Sequence, residues 1–215
     1  MFNIKCLMCN PLQENCYVVS DDSRECVIID CGAYYEEEMD ALDSYIRKEQ
    51  LKPVHLLATH GHLDHNFGNA HVAAAYGLHV EICVEDQDLV EHLPQQASSL
   101  FDMQISEQQP PVGRLLHDGD TVTFGNHTLQ VLHTPGHSHG SCLFYCAEEH
   151  TAFTGDTLFR MSIGRTDFPE GSWQEMEHSL HDVVARLPKE TTVLPGHGPQ
   201  STVADELTYN PYLRL

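Results

Sequence analysis

The order of strand-like and helix-like segments predicts an α/β protein, built as a four-layer αβ/βα sandwich of two mixed sheets flanked by helices. The first half, about residues 1–112, alternates apolar strand-like runs with helix-like runs, and the second half, about residues 113–215, does so again. A sheet with helices on one face leaves its other face bare, so two such halves would bury their bare faces against each other. We therefore expect a single domain over residues 1–215, with a functional site along one edge between the sheets.

The elements of the first half are predicted from apolar periodicity. Residues 16–19 and 26–29 are short apolar runs separated by polar, turn-forming residues, as expected for neighbouring strands. Residues 36–50 show helical periodicity instead, with acidic residues crowded into the first turn. The predicted elements, in order, are strands at 16–19 and 26–29, a helix at 36–50, a strand at 54–58, a helix at 66–76 that ends at Gly77, and a strand at 78–84.

The second half is predicted to contain two hairpins, a long helix and a final strand and helix. Gly125 and Asn126 separate two alternating segments, which is a hairpin signal. Ser172 and Glu175 have the spacing of a capping box, and an apolar stripe follows from Trp173 to Leu187. The predicted elements, in order, are strands at 121–124, 128–132, 142–145 and 151–154, a helix at 173–187, a strand at 191–194 and a helix at 204–209.

Residues 85–112 are the least regular part of the sequence. A helix is predicted at 86–93, whereas 95–97 and 108–111 have the composition of linkers or loops. An irregular segment in a compact protein is often a functional lid, and a plain surface insertion is an equally good interpretation. The sequence leaves these two alternatives open.

The composition excludes several classes of partner. The formal net charge is −21 and there is no basic stripe, which argues against nucleic acid and against anionic lipid as partners. We find no uncharged apolar run long enough to span a bilayer, and the N-terminal residues lack the apolar region of a signal peptide. We therefore expect a cytoplasmic protein whose eight Cys are mostly reduced core residues. The sequence does not indicate an oligomeric state.

The segment His-Gly-His-Leu-Asp-His at residues 60–65 carries four side chains that bind metals, directly after an apolar strand. His60 and His62 are two residues apart, so they point the same way at the end of an extended strand. Asp64 and His65 are adjacent, so we expect them to point in different directions, and one cluster can serve two metals. A polar, His-rich loop is the alternative in a chain with sixteen His, but this spacing after a strand is rare by chance.

Three later turns each follow a predicted strand and end in a further ligand-type residue. These residues are His137, Asp156 and His197, and each directly follows a glycine. Glycine lets the backbone bend and present the next side chain at the edge of a sheet. The complete set of candidate ligands is five His and two Asp: His60, His62, Asp64, His65, His137, Asp156 and His197.

These seven residues predict a binuclear metal site. Asp156 is the natural bridge, because a carboxylate can place one oxygen on each metal. The other six then form two groups: His60, His62 and His137, and Asp64, His65 and His197. The ligands suit two divalent ions, Zn²⁺ first, with iron or manganese as alternatives. Two such ions would lower the pKa of a shared water and give a metal-bound hydroxide as nucleophile. The predicted catalytic residues are His62, Asp64 and Asp156.

These motifs resemble those of the metallo-β-lactamase superfamily over nearly the whole chain. The matching segments are 60–65, 135–137, 155–159 and 195–198. The resemblance implies the αβ/βα fold and a binuclear metal site. Within the superfamily, residues 155–159 followed by Gly164 and Arg165 look like glyoxalase II, the hydroxyacylglutathione hydrolases. Residues 164–169 are most similar to its short bacterial forms, which lack the C-terminal helical domain.

The resemblance implies a hydrolase whose partner is a small-molecule thioester, such as an S-2-hydroxyacylglutathione. In glyoxalase II the basic residue after this glycine helps to hold glutathione, which points to Arg165 as a substrate-binding residue. A structural ion pair between Arg165 and Asp167 is an equally good interpretation. True β-lactamases tend to carry Cys at the position of Asp156, so lactam hydrolysis is not expected.

Two other functions are alternatives to a thioester hydrolase. Residues 164–168 also resemble persulfide dioxygenases, which use one iron held by the equivalents of His60, His137 and Asp156. Iron content and oxygen uptake would separate that activity from hydrolysis. A non-catalytic metal-binding module is the lesser alternative, because decayed members of such families usually lose ligands and this chain retains all seven.

Overall fold

The computed structural model describes residues 2–100, 105 and 109–214. In this part of the chain two six-stranded sheets pack face to face, and helices cover their outer faces, which confirms the four-layer αβ/βα prediction. The first sheet contains β1 (Asn3–Cys9), β2 (Glu14–Ser20), β3 (Glu25–Ile29), β4 (Lys52–Leu57), β5 (Val80–Cys83) and β6 (Leu115–Leu116). The second contains β7 (Thr121–Phe124), β8 (His127–His133), β9 (Cys142–Cys146), β10 (Thr151–Gly155), β11 (Thr192–Pro195) and β12 (Ser201–Thr202).

Both sheets are mixed, as predicted. In the first sheet β1, β2 and β3 are antiparallel neighbours, and β3 to β6 are parallel. In the second sheet β10 and β11 are parallel and the other neighbours are antiparallel. The carboxyl ends of β3 and β4 therefore lie at one edge of the first sheet, and those of β8, β10 and β11 lie together in the second. The candidate ligands follow the carboxyl ends of β4, β8, β10 and β11.

Alternation along the strands builds separate cores on the two faces of each sheet. In β3, Ile28 packs outward under the helices, whereas Val27 and Ile29 face the second sheet. Successive side chains of a strand point to opposite faces, and both faces are covered here. This explains why the strands read as continuous apolar runs. In the core between the sheets Val27 and Ile29 lie in one cluster with Leu129 and Phe144.

The helices lie close to their predicted positions. The α-helices are α1 (Glu36–Lys48), α2 (Asn69–Tyr76), α3 (Gln87–Glu91), α4 (Leu93–Leu100), α5 (Trp173–His178) and α6 (Val203–Tyr209). α1 buries Leu42 and Ile46 against the first sheet. α2 ends at Gly77, whose φ of 70° is the left-handed conformation expected of a glycine cap. The part of the predicted helix at 66–76 that precedes α2 is not α-helical, because Asn66 holds the backbone of the ligand loop.

Three strands are absent from the prediction: β1, β6 and β12. β1 is mostly exposed and mixes polar with apolar residues, and β6 and β12 have two residues each, so none of them carries a clear pattern. β6 pairs with β5, so the change from the first sheet to the second comes after Leu116 rather than near residue 112. The single domain over residues 1–215 stays a prediction.

The loop interpretation of residues 95–97 is wrong, because these residues lie in α4. Leu93 and Ala97 are buried, and the Gln96 side chain donates to the carbonyls of Gly61 and Leu89. These tertiary contacts outweigh the weak helical signal of the sequence. The helix predicted at 86–93 is divided between a 3₁₀ turn at Val84–Asp86 and α3. Residue 108 of the predicted loop 108–111 lies outside the described residues, as does part of the proposed lid.

The long helix predicted at 173–187 is present but irregular. α5 continues into a π-helical turn at Ser179–Val183 and a 3₁₀ turn at Val184–Arg186. Met176 and Leu180 are buried as predicted, whereas Trp173 is 45% exposed. Trp173 occupies the first helical position, where its indole lies beside the Tyr212 ring at the surface, so including it in the buried stripe was wrong.

All eight Cys are free thiols, and seven of them are buried, as the sequence predicts. None of the helices in the described part of the chain has both the length and the apolar character that a bilayer crossing requires.

Asp21 joins the two sheets at the end of the sandwich opposite the candidate ligands. It follows β2, and its buried carboxylate accepts hydrogen bonds from the backbone N–H (2.8 Å) and the hydroxyl of Ser23. It also accepts from the backbone N–H of Asn126 (2.7 Å), in the turn between β7 and β8. One carboxylate therefore holds a turn of each half.

We expect Asp21→Asn to lower the free energy of unfolding at pH 7 by about 1–3 kcal/mol, the usual effect of leaving a buried donor unpaired. Burial raises the pKa of Asp21, but the hydrogen bonds from Ser23 and Asn126 outweigh it and hold the pKa well below its usual value. Because the folded-state pKa is lowered, this stabilisation is complete above the unfolded-state pKa and is lost as the pH falls toward the folded-state value.

Urea unfolding of the wild type and of Asp21→Asn at pH 7 and at pH 3 checks this prediction. The difference in unfolding free energy should be smaller at pH 3. An equal difference at the two pH values would contradict the role given to the Asp21 charge.

Candidate metal centre

The first group of candidate ligands lies in the loop after β4. β4 ends at Leu57, so His60 and His62 are on this loop rather than on the strand, yet their ring centroids are only 4.8 Å apart. Asp64 and His65 lie in a 3₁₀ turn at Leu63–His65. The expectation that these two point in different directions is wrong, because the turn brings Asp64 Oδ2 to 3.7 Å from His65 Nε2. The cluster still serves two groups, divided between His62 and Asp64.

The three later ligands follow β8, β10 and β11, as predicted, but their glycines act in two ways. Gly136 (φ 135°) and Gly155 (φ 46°) adopt the left-handed conformation that favours glycine. Gly196 does not, and it is required for space instead. A side chain there would lie 2.5 Å from Asp156 Oδ1 and 2.6 Å from His65 Cε1.

The structure brings all seven candidate ligands together at one edge of the two sheets. They include two groups in which one ligand atom from each residue lies within 4.8 Å of the others: His60, His62 and His137, and Asp64, His65 and His197. We call these the first and the second ligand group. In the first, His62 Nδ1 is 2.8 Å from His137 Nε2. In the second, His197 Nε2 is 3.2 Å from Asp64 Oδ2.

Asp156 lies between the two ligand groups. Its Oδ2 is 3.4 Å from His137 Nε2, and its Oδ1 is 3.3 Å from His65 Nε2 and 3.8 Å from His197 Nε2. The two oxygens of one carboxylate therefore face different groups. This is the arrangement that a bridging carboxylate requires.

The ring nitrogen of each histidine that faces away from the groups has its own partner. His65 Nδ1 donates to Asp30 Oδ2 (3.1 Å), and His62 Nε2 donates to Glu170 Oε1 (2.8 Å). The remaining contacts are those of His137 Nδ1 with the Arg165 carbonyl (2.8 Å), His60 Nδ1 with Thr59 Oγ1 (3.1 Å) and His197 Nδ1 with the Leu12 carbonyl (3.1 Å). Such outer contacts fix the ring and its tautomer in metal sites. His62 thus presents Nδ1 to its group, and the other four present Nε2.

The residues fit two divalent cations. His60 Nε2, His65 Nε2 and Asp156 Oδ1 are buried and have no hydrogen-bond partner, which is costly for polar atoms unless something else satisfies them. A cation in each group would be that partner. Imidazole and carboxylate donors without thiolate suit zinc, and they also suit iron and manganese.

The charges around the groups favour metal-binding protonation states for some ligands and hold a proton at one. Burial and then the neighbouring imidazoles lower the pKa of His60 well below its usual value, so it is neutral. Burial also lowers the pKa of His65, but Asp64, Asp156 and Asp30 outweigh it and raise the pKa well above its usual value. A cation would take over from the His65 proton as the partner of these carboxylates.

The sequence analysis missed Asp30 and Glu170. Asp30 directly follows β3, beside β4, and its two oxygens also accept from the Thr59 N–H (2.7 Å) and hydroxyl (2.7 Å). An acidic residue just after a strand, two positions before Gly32, was an available signal for it. Glu170 lies in an irregular turn with no pattern that could have identified it.

An open cavity of about 470 Å³ adjoins the ligands. His62, Asp64 and Asp156, the predicted catalytic residues, all line it, and so does Arg165. Arg165 also donates from Nε (2.6 Å) and Nη2 (2.8 Å) to the carboxylate of Asp167, and its guanidinium lies 4.3 Å from the centroid of the Phe168 ring. The geometry thus contains both the ion pair and the position for a substrate contact.

Comparisons with known proteins agree with the geometry. Residues 9–197 match the family model of the metallo-beta-lactamase superfamily. The chain is 32% identical to the hydroxyacylglutathione hydrolase GloC of Haemophilus influenzae, with 98% of each chain covered. Among solved structures, the BLEG-1 B3 metallo-beta-lactamase has a TM-score of 0.90 at 35% identity, with 98% of this chain and 99% of that chain covered. TTHA1623 in a di-iron-bound form has a TM-score of 0.85 at 37% identity, with 97% of this chain and 100% of that chain covered.

The match of the family model extends from β1 to the last candidate ligand, and the two relatives with solved structures share nearly the whole architecture. The His and Asp clusters have the composition and spacing of metal-binding sites. The chain therefore belongs to the metallo-beta-lactamase superfamily.

Proposed function

We propose that this protein is a binuclear metal-dependent hydrolase that cleaves small thioesters, with S-2-hydroxyacylglutathiones as the first candidates. The observation that carries the proposal is the position of Asp156, whose two oxygens face the two ligand groups in the lining of an open cavity. The name of the GloC relative supports a thioester as substrate.

The residues divide the work as follows. The first ligand group would hold one cation and the second group the other, with Asp156 shared between them. Two bound divalent cations activate water as a nucleophile and polarise a carbonyl group. Water adds to the thioester carbonyl carbon and the C–S bond breaks, which yields a carboxylate, a thiol and a proton. The carboxyl group of Asp64 lines the cavity and is positioned to accept a proton from the attacking water.

The cavity wall fits a substrate with an apolar part and an anionic end. Leu12, Phe159 and Phe168 provide apolar surface beside the ligands. Arg165 brings a positive charge to the same cavity, and its stacking on Phe168 holds the guanidinium there. A carboxylate of a glutathione-like thiol would contact this charge while the carbonyl group lies over Asp156.

The loss of thioester absorbance tests the proposal. Metal-replete protein should hydrolyse S-D-lactoylglutathione rapidly, and a chelated sample should not. No loss of absorbance with metal-replete protein would overturn this substrate assignment.

Arg165→Ala should raise KM for the glutathione thioester about tenfold with a smaller change in kcat, because a lost charge-assisted hydrogen bond is worth about 1.5–3 kcal/mol and Arg165 is partly solvated. Steady-state kinetics with Arg186→Ala as the control checks this. Arg186 also forms an exposed ion pair, with Asp182, but away from the cavity. Equal KM values for the two variants would contradict the substrate role of Arg165.

A second candidate is the oxidation of a persulfide at one iron, because TTHA1623 binds two irons in a closely similar structure. Oxygen uptake with glutathione persulfide and the iron content of the purified protein test it. Nitrocefin is the third substrate to compare, because BLEG-1 is named a metallo-beta-lactamase. Turnover of either compound without thioester hydrolysis would replace the proposed reaction.

A further inference from the structure

We propose that Asp86 is a positioning residue that fixes the distance between the two loops of the first ligand group. Asp86 ends the 3₁₀ turn Val84–Asp86 after β5, and its side chain is completely buried. Its Oδ2 accepts hydrogen bonds from the Gly61 backbone N–H (2.8 Å) and the Ser138 hydroxyl (2.6 Å). Its Oδ1 accepts from the Gly140 backbone N–H (2.6 Å).

These three donors belong to the two loops that carry the first ligand group. Gly61 lies between His60 and His62, and Ser138 directly follows His137. One buried carboxylate thus connects the ligand loop of the first half with that of the second half. Asp86 does not line the cavity and belongs to none of the possible metal-binding groups among the described residues, so these contacts are its role.

Other side chains hold the first loop from within its own half. The Asn66 amide donates to the carbonyls of His60 (3.1 Å) and His62 (2.7 Å). Gln96 donates to the Gly61 carbonyl (2.9 Å) and accepts from the Leu63 N–H (3.1 Å). These contacts shape the loop, whereas the Asp86 carboxylate sets its distance from His137.

The packing around Asp86 leaves no slack for the loops to adjust. A side chain at Gly140 would lie 2.6 Å from the backbone nitrogen of Asp86, and one at Gly61 would lie 2.6 Å from Leu89 Cβ. Both glycines therefore approach this turn as closely as backbone can. A change in the turn would be transmitted directly to the neighbouring histidines.

The effect should be selective for the first ligand group. Asp86 contacts neither the 3₁₀ turn that carries Asp64 and His65 nor the loop of His197. This inference rests on the metal-binding roles proposed above, but it does not depend on the substrate.

Asp86→Asn tests the inference by zinc binding, measured by competition with a chromophoric chelator. An amide has one acceptor oxygen, so its NH₂ group would face a donor N–H or O–H that the carboxylate now satisfies. We expect one of the two zinc ions to bind about 10–100-fold more weakly, the usual effect of losing an outer contact of a metal ligand. The other ion should bind as in the wild type.

Double variants identify which ion is affected. Asp86→Asn should add little to His62→Ala, which already damages the first group, and should weaken the remaining ion in His197→Ala. The reverse pattern would overturn the proposed selectivity.

Asp21→Asn is the matched control, because Asp21 is also a buried carboxylate that joins turns of the two halves, at the opposite end. It should lower Tm without changing the affinity for zinc. If Asp86→Asn lowers Tm in the same way and both zinc ions bind normally, Asp86 is merely structural and the inference is wrong. If Asp86→Asn does not fold, Ser138→Ala removes one of the three hydrogen bonds and should weaken the same ion by a smaller factor; unchanged binding would overturn the inference.

The two levels of proposal fail differently. Wild-type protein that binds two zinc ions but hydrolyses no thioester would overturn the proposed reaction alone. Wild-type protein that binds no divalent metal would overturn the metal centre and this inference with it.

Discussion

Asp156→Ala is expected to lose both metal ions and thioester hydrolysis together. Asp156 faces both ligand groups, with an oxygen 3.4 Å from His137 Nε2 and the other 3.3 Å from His65 Nε2. Removing it leaves each cation with three ligands and with less negative charge. The affinity for both ions should fall by more than about 100-fold, the upper end of what is seen when only an outer contact is lost. Metal content by atomic emission and thioester turnover on the same sample measure the two effects.

Asp167→Asn is the control for this variant. Asp167 is an exposed carboxylate in the next turn, outside the two ligand groups. Its replacement should leave the metal content unchanged. Full turnover by Asp156→Ala protein that is depleted of metal would sink the proposed mechanism.

Removing the metals is expected to lower Tm by a similar route. In the metal-free chain His60 Nε2, His65 Nε2 and Asp156 Oδ1 are buried without partners, so ligands that bind only the folded state stabilise it. At a free zinc concentration about 1,000 times Kd, one ion adds about 4 kcal/mol. For a chain of this size each kcal/mol shifts Tm by about 2–4 °C, so a shift of at least about 8 °C follows.

Thermal unfolding followed by circular dichroism, with zinc and with a chelator, checks this prediction. Asp156→Ala should show little of the zinc-dependent shift, whereas Asp21→Asn should show all of it from a lower starting Tm. The same Tm for wild-type protein with zinc and with chelator would mean that the two groups do not hold metals in the folded state.

Much of the fold could be predicted because its strongest signals are local. The inner strands are short apolar runs between turn residues, and α1 has a clear helical period. The candidate ligands were found because His60 to His65 are close in sequence, and because His137, Asp156 and His197 each follow a glycine after a strand. Strands that end at one edge of a sheet bring such turns together.

The rest could not be predicted because it depends on contacts between distant segments. Asp86 is one acidic residue in an irregular stretch, and only the approach of Gly61 and Gly140 gives it a role. α4 has a weak helical signal, and its Gln96 becomes buried only against the ligand loop. Trp173 follows the apolar period of its helix, yet no element covers it there.

Each ligand group draws on both sheets, and this has a mechanical consequence. His60 and His62 come from the first half and His137 from the second, and Asp64 and His65 are likewise completed by His197. A bound ion would act as a rivet between the halves at this end of the sandwich, as Asp21 does at the other. The halves could not hinge apart there without releasing their ions, so metal loss would be the first sign of the sandwich opening. A chain cut between the sheets, after Leu116, would leave neither fragment with a complete group, and the fragments would reassemble more tightly when metal is supplied.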